Sequence, residues 1–128
     1  MAIPKADNSV LDATLAKIAT STTVYVCSAE PANQAGIAAV SLGSYTITAG
    51  TGNGDWLIAN GDVSGRKVSL LAQSGNNASA DGTADCLVYS DGTTLLYATD
   101  SSGEALNNGS PFTIGAYDVA ELRAPVNE

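Results

Sequence analysis

Histidine is absent from the chain, and only Lys5, Lys17, Arg66, Lys67 and Arg123 are basic. The first absence removes a His-based catalytic triad, a histidine general base and a histidine-rich metal cluster. The second, set against 13 acidic residues, leaves a net charge of −8. A duplex phosphate backbone or an anionic bilayer repels such a chain at long range, so neither a nucleic-acid nor a membrane partner is expected. Aromatics are scarce too, with one Trp, one Phe and five Tyr, which is poor material for a sugar-stacking cleft. Two cysteines without histidine are too few for a metal site. Cys27 and Cys86 both lie in strand-like runs and read as small buried hydrophobes, with a disulfide between neighbouring strands as the alternative. No cofactor is implied.

Long apolar runs are missing as well. The most apolar window, residues 35–42, is far shorter than the roughly 20 residues of a membrane helix. The opening Met-Ala-Ile-Pro-Lys-Ala-Asp has no apolar signal-peptide core, so a soluble protein used without export is expected. Charged residues make up 14% of the chain, against about 25% in a typical globular protein. In their place stand 13 Ser, 12 Thr, 9 Asn and 13 Gly. Hydroxyls and amides can hydrogen-bond water or a partner without desolvating full charges.

The most informative stretch is residues 81–100, DGTADCLVYSDGTTLLYATD. Two strand-like runs flank Asp91-Gly92, a pair suited to a type I′ hairpin turn. That turn would set Val88 opposite Leu95, Cys86 opposite Tyr97, Leu87 opposite Leu96 and Tyr89 opposite Thr94. Both faces are then largely apolar, as in a hairpin inside a packed sheet.

Before it, residues 1–8 read as an arm. A helix is expected from Asp7 or Ser9, with Ser9 capping and Asp12 completing a box-like pair. Leu11, Leu15 and Ile18, with Val10 beside them, form its core-facing stripe. Strands are expected over residues 22–28, 41–48, 56–58, 67–73 and 111–119, and loops over residues 32–40, 49–55 and 74–80. Phe112, Ile114 and Ala116 would share one face of the last strand. The fold class is therefore mainly β: a compact β-sandwich or small barrel of about seven or eight short strands with one N-terminal α-helix. A single domain over residues 9–121 would sit between the arm and a tail of residues 122–128.

No G-x-S-x-G or C-x-x-C occurs, and Ala-Gly-Thr-Gly-Asn-Gly-Asp-Trp, residues 49–56, lacks the Gly-Lys-Ser/Thr of a phosphate loop. Asp55 with Asp62, and Asp81 with Asp85, are the available carboxylate pairs for a hydrolase; each Asp is better explained by a turn. Asn53-Gly-Asp55, Asn60-Gly-Asp62 and residues 81–85 offer oxygen ligands to calcium, yet none keeps an EF-hand register. Arg66 and Lys67 read as partners of the surplus acids or as contacts to an acidic surface. Trp56 reads as core, with an interface anchor as the alternative.

Ser64-Gly-Arg-Lys-Val68, Gly82-Thr-Ala84, the Asp-Gly-Thr-Thr-Leu-Leu of residues 91–96, and the Phe-Thr-Ile-Gly-Ala-Tyr-Asp of residues 112–118 together resemble small virion proteins of tailed bacteriophages. Some of these look like head decoration, or cement, proteins. The resemblance implies a non-enzymatic protein, made in the host cytoplasm, that binds the capsid exterior as a dimer or trimer. It would bridge neighbouring copies of the major capsid protein, and no catalytic residues carry over. The expected contacts are the arm residues Met1, Ala2, Ile3, Pro4 and Lys5, with Trp56, Arg66, Lys67, Arg123 and exposed strand edges. A tail, baseplate or host-contacting module is the alternative, followed by a small carbohydrate-binding domain.

Overall fold

The computed structural model describes residues 7–52, 54–61, 65–101 and 103–122. In chain order the elements are α1 (Asn8–Ile18), β1 (Thr23–Cys27), a 3-10 turn (Gln34–Gly36), α2 (Ile37–Val40), β2 (Ser41–Thr46), β3 (Trp56–Asn60), β4 (Arg66–Leu70), β5 (Gln73–Asn77), β6 (Gly82–Thr83), β7 (Cys86–Ser90), β8 (Leu95–Asp100), β9 (Ala105–Leu106), β10 (Pro111–Ile114) and β11 (Tyr117–Leu122). The chain is mainly β with an N-terminal helix, as its turn-punctuated pattern predicts, but it divides into more and shorter strands.

Asp7, not Ser9, caps α1. Its backbone is extended, and its carboxylate accepts the Ser9 N–H at 3.0 Å and the Ser9 hydroxyl at 2.5 Å. The cap is thereby filled from outside the helix, and Asp12 turns to Arg66 instead of closing a box. Leu15 is fully buried and Ile18 packs on the core, whereas Val10 is 59% exposed and does not belong to the stripe.

β1 lies at the centre of a four-stranded antiparallel sheet of order β2-β1-β7-β8. Along one face Val24, Val26, Leu87 and Tyr89 enter the main core, meeting Trp56, Val68 and Leu70 of β3 and β4, Phe112 and Ile114 of β10, and Leu15. On the other face Cys27, Cys86 and Val88 pack with Ile37 of α2 into a second cluster. A sheet covered on both sides has no polar strand face, which is why residues 86–90 are buried throughout. A three-stranded sheet of order β11-β4-β3 carries α1, and the ribbons β10-β5 and β6-β9 complete the fold.

The hairpin register departs from the expected one. Val88 faces Ala98, Tyr89 faces Tyr97 and Cys86 faces Asp100, with an irregularity at Tyr89/Ser90. The loop is longer because the Asp91 carboxylate accepts the N–H groups of Thr93 and Thr94 at 2.9 and 2.8 Å. No residue other than glycine has positive φ among the described residues, so Asp91 cannot make a type I′ turn. Tyr97 consequently joins Tyr89 on the main-core face.

Three further expectations are corrected. Residues 73–77 form β5, a strand whose side chains are mostly exposed and so carry no apolar alternation. Residues 34–40 hold the 3-10 turn and α2 in place of a loop, started by the Asn33 side chain accepting the Gly36 N–H at 3.1 Å. The last strand breaks at Gly115-Ala116: β10 pairs with β5, while β11 pairs with β4 and runs to Leu122. Ala116 is therefore exposed and does not share a face with Phe112 and Ile114.

Candidate binding surface

Two of the basic residues singled out from the sequence, Arg66 and Lys67, form ion pairs within the fold. Arg66 Nε lies 2.7 Å from Asp12 Oδ1, and its Nη1 donates to Asn60 Oδ1 at 2.8 Å. The guanidinium therefore ties α1 to the three-stranded sheet. Lys67 Nζ is 3.0 Å from Asp118 Oδ2, and Ser69 donates to the other Asp118 oxygen at 2.8 Å. Those two contacts, Ser69 first and Lys67 second, hold the Asp118 carboxyl below the usual carboxylate range.

Trp56 is a core residue. It is 1% exposed, its ring centroid is 5.6 Å from that of Tyr89, and its indole N–H donates to the Ser21 carbonyl at 3.4 Å. Burial removes it from the candidate surface anchors. Met1, Ala2, Ile3, Pro4, Lys5 and Arg123 lie outside the described residues.

Two of the carboxylates considered for catalysis or calcium, Asp55 and Asp81, accept backbone N–H groups. Asp55 accepts the Thr48 N–H at 2.5 Å and the Gln73 amide at 3.2 Å. Asp81 accepts the Asn108 N–H at 2.7 Å. Asp62 and Asn53 lie outside the described residues. Among the described residues no three His, Cys, Asp or Glu side chains converge as metal ligands, and no helix is long and apolar enough to cross a membrane.

Cys27 and Cys86 are direct cross-strand neighbours, both buried and both free thiols. Burial, with the adjacent Cys86, pushes the Cys27 thiol up to about 12. Cys86 is raised by burial and then by Asp85, and its thiol donates to the Ala29 carbonyl at 3.5 Å.

The surface features that the sequence did not reveal are created by the way the sheets meet. A groove of about 410 Å³ runs between α1, β8 and β11, with Leu15, Ile18, Leu96, Tyr97 and Leu122 along it. β8 and β11 are the outer strands of their sheets, so two strand edges border this groove. A second cleft, of about 380 Å³, opens where β8 ends and β10 begins. It is floored by Leu87, Leu106, Phe112 and Ile114, with Asp100 and Glu104 also lining it. Residues from four separated stretches meet there only after strand pairing is set, so local sequence carries no signal for it. Leu57, on the outer side of β3, is 53% exposed.

No protein-family model, curated protein or solved structure matches the chain. The likeness to phage virion proteins therefore rests on the sequence segments quoted for it.

Proposed function

We propose that this protein is a non-enzymatic virion structural protein of the head-decoration type, binding the capsid exterior as a dimer or trimer and bridging neighbouring major capsid subunits. The observation that carries this reading is the use made of the ionisable side chains. Asp7, Asp55, Asp81 and Asp91 accept backbone N–H groups, while Asp12 and Asp118 hold Arg66 and Lys67. Groups spent in this way rigidify a scaffold; they are not poised as a general acid and base. The remaining recognition features are strand edges and clefts, which suit extended segments of another chain.

The net charge of −8 favours solubility at high copy number and disfavours the genome as partner. An oligomer touching several fixed capsid subunits gains effective concentration, so modest single contacts suffice.

A gel of purified virions tests the assignment. A decoration protein should approach the major capsid protein in copy number, and side-chain-resolution images should place the domain outside the shell. A scarce band would move it to the tail or baseplate, and absence from particles would overturn a virion role.

A further inference from the structure

β3 is an outer strand of the sheet β11-β4-β3, and its bonds to β4 fix which way its backbone groups point. The Leu71 N–H donates to the Asp55 carbonyl at 2.9 Å and the Gly61 N–H to the Gly65 carbonyl at 2.9 Å. Both bonds keep the register that sets Trp56 against Leu70 and Asn60 against Arg66. Hydrogen-bonded pairs recur at every second residue of an antiparallel ladder. Leu57 and Ala59 therefore spend their N–H and C=O groups on β4, while Trp56, Ile58 and Asn60 turn theirs outward. The Trp56 carbonyl is taken by the Gly52 N–H at 3.0 Å. Ile58 and Asn60 form no backbone bond on that side among the described residues.

The other outer strands differ. β2 is covered, its Leu42 carbonyl accepting the Ser79 N–H at 2.8 Å and its Ser44 carbonyl the Asn76 side-chain amide at 2.9 Å. β8 and β11 border the groove beside α1.

Unpaired N–H and C=O groups on a strand edge are a template for another β-strand. Length and side chains decide which strand fits. A long strand running past Ile58 meets Gly52 at the Trp56 carbonyl, so the open edge holds only Ile58 and Asn60. A second β3 laid antiparallel, about a two-fold axis through Ala59, sets Ile58 of one copy against Asn60 of the other as hydrogen-bonded pairs. Every open group of both edges is then matched, and Trp56 keeps its bond to Gly52. Ala59 meets its own counterpart at the axis, where non-hydrogen-bonded pairs come closest and a methyl group fits. Leu57, 53% exposed on the outer face, comes to lie opposite a glycine, Gly61 of the partner subunit, which has no side chain to oppose it.

We infer that the free edge of β3 is a self-association surface, on which Ile58 and Asn60 pair with Asn60 and Ile58 of a second copy and two sheets become one. This specifies the dimer of the capsid-binding reading and rests on that reading for where the dimer works, though not for the pairing itself. So short a contact buries less than the roughly 1,000 Å² of a stable interface, and two chains of net charge −8 repel each other. The dimer is therefore weak in free solution, with a dissociation constant on the order of 0.1–1 mM. It takes hold where copies are already held side by side.

NMR on the full chain tests the pairing. At about 1 mM the Ile58 and Asn60 amides should exchange with solvent several-fold more slowly than after tenfold dilution, while the Ala59 amide, bound to β4, should not change. In a mixture of isotope-labelled and unlabelled chains, a filtered NOE should join Ala59 Hα to its counterpart in the other copy. Raising the salt from about 0.05 M to about 0.5 M should tighten association several-fold by screening the net charge. Ala59→Glu and Ala59→Lys each set like charges face to face at the axis and should abolish the concentration dependence. An equimolar mixture of the two variants should restore it. Exchange at Ile58 and Asn60 that ignores concentration in wild type, or a mixture that associates no better than either variant alone, would overturn the inference.

Purified virions separate this pairing from the capsid-binding reading. Paired β3 edges on the particle support both. Dimers in solution with no copies on virions sink the capsid-binding reading alone. Virion-bound copies whose β3 edges stand apart, with exchange independent of concentration, sink the pairing alone.

Discussion

The Cβ that Gly43 lacks would lie 2.7 Å from Cε1 and 2.8 Å from Cζ of Phe112. Gly43 stands opposite Val26 in β2, and the Phe112 ring also contacts Tyr45 with centroids 4.9 Å apart. β10 can close over the four-stranded sheet only because that position carries no side chain. Gly43→Ala should therefore cost about 1–3 kcal/mol through overpacking. The check is a lowered urea midpoint with an unchanged m-value. Phe112→Leu should cost less in the Gly43→Ala background than in wild type, because the two residues share one space.

Tyr45 has a second role in the same region. Its hydroxyl donates to the Phe112 carbonyl and accepts the Asn76 N–H at 3.2 Å. It sits where Phe112 of β10 faces Asn76 of β5, next to the register irregularity of that pair. Tyr45→Phe should strand a buried carbonyl and an amide together, at a cost of about 1–3 kcal/mol. Hydrogen exchange should show the loss locally, with Asn76 exchanging faster than the amides of β1. An unchanged Asn76 rate would mean that the ladder holds without the hydroxyl.

These contacts mark what the sequence could and could not reveal. The central hairpin, the strand at Val24 and Val26, and the helix around Leu15 are legible because their apolar spacing and turn residues act locally. The register at Asp91 is not, since its carboxylate recruits the Thr93 and Thr94 amides and lengthens the loop. Nor is β5, whose exposed Ser, Gly and Asn residues are held by partners remote in sequence, Pro111 and Phe112. Pairing of Arg66 and Lys67 with acids was expected in kind, but the choice of Asp12 and Asp118 depends on how α1 and β11 flank β4. The cleft between the end of β8 and the start of β10 is less legible still, because Leu87 and Ile114 meet only through tertiary packing.

Asp118 gives an acid limb to stability. Its folded carboxyl is held below the usual range by Ser69 and Lys67, whereas the unfolded group titrates at about pH 4. The folded state thus keeps its charge where the unfolded chain binds a proton. The contribution is fully present above about pH 4 and is lost as pH falls through the lower folded value. The carboxyl is substantially solvated and screened, so the effect should be under about 1 kcal/mol. Asp118→Asn should flatten the fall of the urea midpoint below pH 4; an unchanged slope would remove Asp118 from the acid response.

The Cys27–Cys86 pair gives the opposite limb. The folded Cys27 thiol is raised to about 12 by burial and by its neighbour, while an unfolded cysteine titrates near pH 8.5, by about the usual value. Above that pH the unfolded chain releases a proton that the folded chain keeps. Stability from this source is therefore full below about pH 8.5 and declines as pH rises toward about 12. Wild type should lose urea resistance between pH 8 and pH 10 more steeply than Cys27→Ala, whatever the offset at neutral pH from the small cavity. Native thiols should also react with iodoacetamide at pH 8 at least tenfold more slowly than the same thiols in denaturant, since the thiolate is the nucleophile. Equal alkylation rates in the two states would show that the second core cluster opens readily, and the alkaline limb should then vanish with it.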